Sequence, residues 1–328
     1  MDELKNAIPE EEITSETEIN VTSTKDDTAP ATEATVGMKE KDMHEVSNKQ
    51  KVKKFFSQFG LYFFLGFMAL VVLFPFYFML ISSVKSMKEY EMNPPTLFPQ
   101  EFLFDNYVKA FSTANLGTLF GNTIYVGIVS TLLSLVITIL SAFAFAKLEF
   151  KGKNAMFAFL LATMMIPGEL FTITNYQTVV EFDWLNTYTV LIVPFLVSVF
   201  YIYLLRQNFM QVPNELYLAA KIDGTSDFKY LLKVMIPLAL PTIISITILK
   251  MMGAWNSYIW PKLVANNEAY RLITNGLRAL TFVDEATQKP NIPIQMAAVT
   301  MVSIPLFLVF VFLRKYIMKG VSRSGIKG

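Results

Sequence analysis

The chain contains no cysteine, which excludes disulfides, thiolate metal sites and thiol nucleophiles. Its one histidine, His44, lies in a polar N-terminal stretch, so neither a His-based triad nor a His-rich metal site can form at membrane depth. No G-x-x-x-x-G-K-[ST] stretch occurs, and the chain therefore has no phosphate-cradling loop of its own. Charge is scarce too: 17% of the 328 residues are Asp, Glu, Lys or Arg, against 53% hydrophobic. That balance is too apolar for a soluble domain and indicates an integral membrane protein.

The net charge of +1 conceals a split. Residues 1–45 hold thirteen acids and four lysines, so an acidic tail precedes a basic membrane body. Rich in Glu, Thr, Lys and Asp and almost free of aromatics, residues 1–50 cannot bury enough apolar surface to offset their ordering entropy. We expect a disordered tail over 1–54. It is not a signal peptide, because the first apolar run starts near residue 59 and is too long for an h-region.

Six hydrophobic spans follow, near 59–81, 119–146, 155–174, 188–205, 236–260 and 294–316. Each approaches the roughly 20 residues that cross a bilayer's hydrocarbon. Pro167-Gly168-Glu169 interrupts the third and Pro194 the fourth. The expected fold is an all-α integral membrane protein, with its six-helix domain over 55–318 and a short tail over 319–328. Lysine and arginine set the orientation: sixteen flank the first span, the 2–3 and 4–5 connections and the C-terminus, against seven in the other connections. Both termini and the 4–5 loop, 206–236, are expected in the cytoplasm.

That loop carries "YLAAKIDGTSDF", a small-sided polar stretch between apolar runs. Pro213 or Asn214 can start a helix, with Glu215 in its first turn, where an acid suits the dipole. Asp223-Gly224 can end it, with glycine taking the left-handed conformation. Ser226 or Asp227 can cap a second short helix through Phe228 towards Ile236-Pro237. The product is a helix–turn–helix knob of the kind that fits a groove on another protein.

The same stretch resembles the cytoplasmic loop of ABC-importer permeases, patterned Glu-Ala-Ala, three residues, Gly, nine residues, Ile-x-Leu-Pro. Here Ala219-Ala220 and Gly224 keep the first spacing, and Val234-Met235-Ile236-Pro237 closes the pattern. The family's Glu falls on Leu218, so a salt bridge from that position is unavailable. "MMIPGE", "NTYTVLIVPFL", "GAWNSYIWP" and the terminal "KGVSRSGIKG" also resemble the carbohydrate branch, which includes the smaller maltose-transporter permease. The resemblance covers nearly everything after residue 60.

It implies a type I importer permease that translocates a sugar, an oligosaccharide by that branch. The partners implied are a second permease, two cytoplasmic ATPase subunits holding ATP and Mg, an extracytoplasmic sugar-binding protein and membrane lipid, with no nucleic acid. The implied location is a bacterial cell membrane. No cofactor or metal is expected on this chain, and no catalytic residue. Glu215, Leu218, Ala219, Ala220, Lys221, Asp223, Gly224 and Phe228 would form the ATPase-coupling surface, with Lys327 and Gly328 a second contact.

For the sugar path the candidates are Trp255, Asn256, Tyr258 and Trp260 near the outer end of span five, then Asn122, Thr123 and Tyr125 on span two. Oligosaccharides bind through aromatic faces and hydrogen bonds, although Trp and Tyr also collect at membrane interfaces without a ligand. Pro167, Glu169 and Lys250 are gate or interface candidates, since intramembrane charges face a cavity or a partner. An ion-coupled secondary transporter or channel using Lys250 and Glu169, paired or separate, would also explain buried charge. It would not explain the spaced cytoplasmic loop.

Overall fold

In the computed structural model, residues 34–279, 282–283 and 288–322 are described, with side chains from residue 58 to 314 of that range. Every regular element among them is helical, and the one β feature is an isolated bridge between Val283 and Pro290. The chain divides into two compact units, Met1–Leu70 and Val71–Gly328.

Helix α1 (Ala34–Ser83) begins well inside the stretch expected to be disordered. That expectation rested on burial, whereas the segment from 34 onward is rich in Lys, with Met, Glu and Gln beside it, good helix formers that a long apolar helix can propagate into. Phe59, Phe63, Leu70 and their neighbours in the first span are exposed, as befits a face meant for lipid or a partner.

After α2 (Met87–Tyr90), the connection to α3 (Asp105–Thr113) is tied down from within. Buried Lys85 donates to the Thr96 carbonyl, and buried Glu89 accepts from Thr96 Oγ1 at 2.8 Å and Gln100 N at 3.0 Å. Asn106 donates to the carbonyls of Ser83 and Lys85, both at 2.9 Å.

Helix α4 (Leu116–Lys147) is the central element and packs against both α8 (Val199–Met210) and α11 (Ile236–Asn256). Its buried face reads Thr123, Gly127, Ser130, Ser134, Thr138 and Ala142 at steps of three and four. Small side chains let helix backbones approach closely where lipid gives no hydrophobic drive. A Cβ on Gly127 would touch the Met251 side chain at 3.5 Å.

The third and fourth spans are broken where proline falls. Helix α5 (Lys153–Thr163) and the segment Gly168–Glu181, which ends in α6 (Thr172–Glu181), meet at 82° across Pro167. The segment Tyr188–Phe195, containing α7 (Tyr188–Ile192), meets α8 at 45° just after Pro194.

The expected second short helix of the knob differs in an instructive way. Helix α9 (Asn214–Ile222) is separate, but α10 (Asp227–Tyr230), a π turn over Leu231–Met235 and α11 run on as one span, Asp227–Asn256. A proline ring inside a helix strikes the carbonyl four residues back. The wider π turn immediately before Pro237 absorbs that conflict, so the helix continues where the sequence suggests a stop. The span ends at Asn256, short of the expected 260, because the backbone breaks at Ser257-Tyr258 before α12 (Ile259–Val264). Helices α13 (Ile273–Ala279) and α14 (Ile292–Ser322) complete the chain.

Candidate functional site: a pinned hairpin and a cavity at a broken helix

Helix α9 ends as the sequence predicts. Gly224 has φ of +71°, its N–H bonds the Lys221 carbonyl at 3.0 Å, and Thr225 N bonds the Ala220 carbonyl at 2.8 Å. This pair of bonds is the Schellman arrangement, and it needs a residue without a Cβ penalty at the left-handed position. Ser226 then caps the next helix by accepting from Lys229 N.

The hairpin's inner side is pinned to the bundle. Tyr217 donates to Asp227 Oδ1 at 2.7 Å, and Lys221 Nζ reaches the same oxygen at 2.6 Å, closing a bridge across the turn. That hydrogen bond raises the Lys221 pKa above the ordinary lysine value, so the pair is intact at neutral pH. The Tyr217 pKa is also raised, by burial first and by Asp227 second. The Tyr217 ring packs on Tyr230, with ring centres 5.2 Å apart, and Tyr230 is only 1% exposed in a cluster with Phe143, Leu205, Phe209 and Met235. Buried Lys147, at the end of α4, donates to the Val212 carbonyl and to Asn214 Oδ1, both at 2.7 Å, and so holds the entry to α9.

The outer side is different. Leu218 (59% exposed), Ile222 (87%) and Phe228 (61%) face away from the bundle, as does Leu216. Glu215, Ala219, Lys221, Asp223 and Gly224 are exposed with them. Ala220 is not part of that surface: it is half-buried and packs against the Tyr230 cluster. Adjacent residues on an α-helix do not share a face, so the two alanines meet different surroundings. Lys147 and Tyr217 escaped the sequence reading, because a lysine and a tyrosine near an interface carry no mark of what they hold. Lys327 and Gly328 lie outside the described residues.

The sugar-path candidates separate into two groups. Asn122 is buried and saturated: it donates to the carbonyls of Ala269 (2.8 Å) and Arg271 (3.0 Å) and accepts from Tyr188 OH at 2.8 Å. Thr123 accepts from Ile273 N at 2.8 Å. Trp255 sits in a core cluster beside Phe120, and Trp260 is buried with its indole N–H on the Val190 carbonyl at 2.9 Å. These four hold the chain together. Tyr125 and Asn256 are exposed, and Tyr258 is half-buried beneath the Arg278 and Lys262 cations.

A cavity of about 410 Å³ lies between α4, the broken fourth span and α11. Lys250 and Trp260 are in its wall, with Phe195 and Ser198 from either side of the break. Lys250 Nζ donates to the Phe195 carbonyl. It does not pair with Glu169, which is exposed on the 3₁₀ turn after Pro167. The ion-coupling alternative therefore loses its charge pair. Among the described residues no cluster of His, Cys, Asp or Glu could hold a metal.

Comparison with known proteins gives a consistent picture. Residues 116–323 match the model of the binding-protein-dependent transport system inner membrane component family. The arabinooligosaccharides transport system permease protein AraQ of Halalkalibacterium halodurans is 31% identical over 266 residues, covering 80% of this chain and 94% of the relative. The sn-glycerol-3-phosphate transport system permease protein UgpE of Rhizobium meliloti is 30% identical over 258 residues, covering 76% and 91%. Among solved structures, a chain of a bacterial ABC transporter involved in alginate import shares the fold, with a TM-score of 0.71 at 23% identity over 77% of this chain and 93% of that one. The chain belongs to the family of binding-protein-dependent transport system inner membrane components and is a permease subunit of an ABC importer, a translocation component and not an enzyme.

Proposed function

We propose that this permease carries a saccharide into the cytoplasm, paired with a second permease and driven by two cytoplasmic ATPase subunits that hold ATP and Mg. The observation that carries the reading is the two-sided hairpin, locked to α4, α8 and α11 inside and apolar outside. A chain without a nucleotide loop must receive its energy through a contact, and a contact transmits motion only if it differs between two states and is rigid enough to move as one piece. Leu218, Ala219, Ile222 and Phe228 would enter the ATPase groove. Leu218 in the place of the family's Glu makes that grip apolar at this point. Lys147 and Tyr217 would pass the displacement to the bundle.

The names of AraQ and UgpE, which concern an oligosaccharide and a glycerol phosphate, support a polar, hydroxylated cargo. An extracytoplasmic binding protein would deliver it. The basic residues flanking the 4–5 loop support cytoplasmic termini, and the absence of cysteine makes this directly testable. Lys229→Cys should resist an impermeant maleimide applied from outside intact cells, and Glu268→Cys should react; the reverse pattern inverts the topology.

The central experiment is isolation of the chain with its companions from membranes, followed by reconstitution in proteoliposomes with the binding protein. We expect co-purified ATPase subunits and ATP-dependent uptake of an oligosaccharide. A complex without a nucleotide-hydrolysing chain, or uptake that follows a proton gradient instead of ATP, overturns the reading.

A further inference from the structure

The importer reading leaves the chemical class of the cargo open, and the cavity at the broken fourth span bears on it. Gly253, Ala254 and Ser257 lie three, four and seven residues beyond Lys250, on one face of α11 and its C-terminal cap, and all four line the cavity. Three of them are small, so that face is cut back around one long cationic side chain. Opposite lies non-helical backbone between Phe195 and Val199, and irregular backbone at membrane depth is tolerated where it lines a cavity or is buried in protein.

Among the described residues that line the cavity, Lys250 is the one cation and none is a carboxylate. No acid among the described residues lies within ion-pair distance of it, and its ammonium donates to the Phe195 carbonyl. An ammonium carries three donors, and a neutral carbonyl satisfies one of them without cancelling the charge. A charge held at membrane depth with no counter-ion costs several kcal/mol. That cost is relieved when an anion arrives. The Ser198 and Ser257 side chains in the same wall are of the kind that meets sugar hydroxyls. The volume falls within the roughly 300–1,000 Å³ of small-molecule sites.

We infer that this cavity accepts an acidic saccharide, one bearing a carboxylate or phosphate oxyanion, and that Lys250 is the residue that selects it over a neutral one. The inference rests on the importer reading.

The test uses the assembled transporter with its partner chains in proteoliposomes, offered trigalacturonate, glucose 6-phosphate or maltotriose. We expect ATP-dependent uptake of at least one acidic probe to exceed that of maltotriose, and the better acidic probe identifies which oxyanion fits. In Lys250→Met the acidic uptake should fall at least about tenfold, as for other buried charge contacts. Complex yield should be unchanged, the acidic probe should lose its lead over maltotriose, and Lys250→Arg should keep most of the acidic uptake. Equal uptake of maltotriose and the acidic probes, or equal loss of both in Lys250→Met, overturns the inference and leaves the importer reading standing. Dissociation of the second permease in Lys250→Met also overturns it, because the lysine's anion would then be a partner carboxylate. Absence of ATP-dependent uptake for every probe removes both readings.

Discussion

The hairpin and the C-terminal end of α11 both read in the sequence as contact surfaces, and the structure separates them. The region around the C-terminal end of α11 has the aromatic and amide residues that suggest a sugar site, yet Asn122, Trp255 and Trp260 are buried, and two of them spend their polar groups on nearby backbone. The hairpin's Leu218, Ile222 and Phe228 are apolar, and they point away from the bundle. Side-chain chemistry says what a residue can do. Only exposure says whether it is still available to do it.

The sharpest way to break this contrast is Gly224→Val, expected to abolish uptake while the protein stays in the membrane. A Cβ at Gly224 would meet open space, so the defect is conformational and not a clash. A side chain forced into the left-handed region costs about 1–2 kcal/mol, more when β-branched. Gly224→Asn should retain transport, because asparagine tolerates that region. Transport by the valine variant would show that the turn geometry is unimportant.

Next in size is Ile222→Asp. Its side chain touches little within the chain, so its melting midpoint should match wild type, with stability within about 0.5 kcal/mol. The ATPase subunits should be lost on co-purification. A variant that melts early and keeps its ATPases would move Ile222 from the docking surface to the core.

Gly276→Ala acts at the other region and on stability alone. A Cβ there would come within 2.4 Å of the Leu119 side chain, which is itself buried. Overpacking of this kind costs about 1–3 kcal/mol, readable as a lower melting temperature in detergent. The smallest effect expected is from Tyr217→Phe. It removes one hydrogen bond to Asp227, while Lys221 still holds that carboxylate, for a loss of about 1 kcal/mol. A double-mutant cycle with Lys221→Ala should show coupling between the two, and strict additivity would mean that they do not share Asp227 in solution.

Much of the hairpin was legible beforehand because local rules govern it. Proline before α9, Gly224 after it and Ser226 as a cap each act within a few residues. The breaks near Pro167 and Pro194 were legible for the same reason. Pro237 misled, since the π turn that accommodates it depends on how Leu231 and Met235 pack in the cluster beneath the hairpin. The start of α1 was missed because burial, and not helix propensity, was taken as the guide. Lys250 stood out as an intramembrane charge, but its partner could not be read from depth, and Glu169 proved to lie elsewhere.

The amino-acid sequence alone determined that this is a helical membrane protein with interrupted third and fourth spans, and a glycine-terminated hairpin between the fourth and fifth. Those features follow from hydrophobic length, proline and glycine, whose effects are local. The tertiary structure alone decided which alanine faces in, which tryptophans are consumed by packing, and that Lys250 stands in a cavity wall with no acid among the described residues beside it. Each of those outcomes depends on what residues distant in the chain place next to one side chain, and no local rule carries that information.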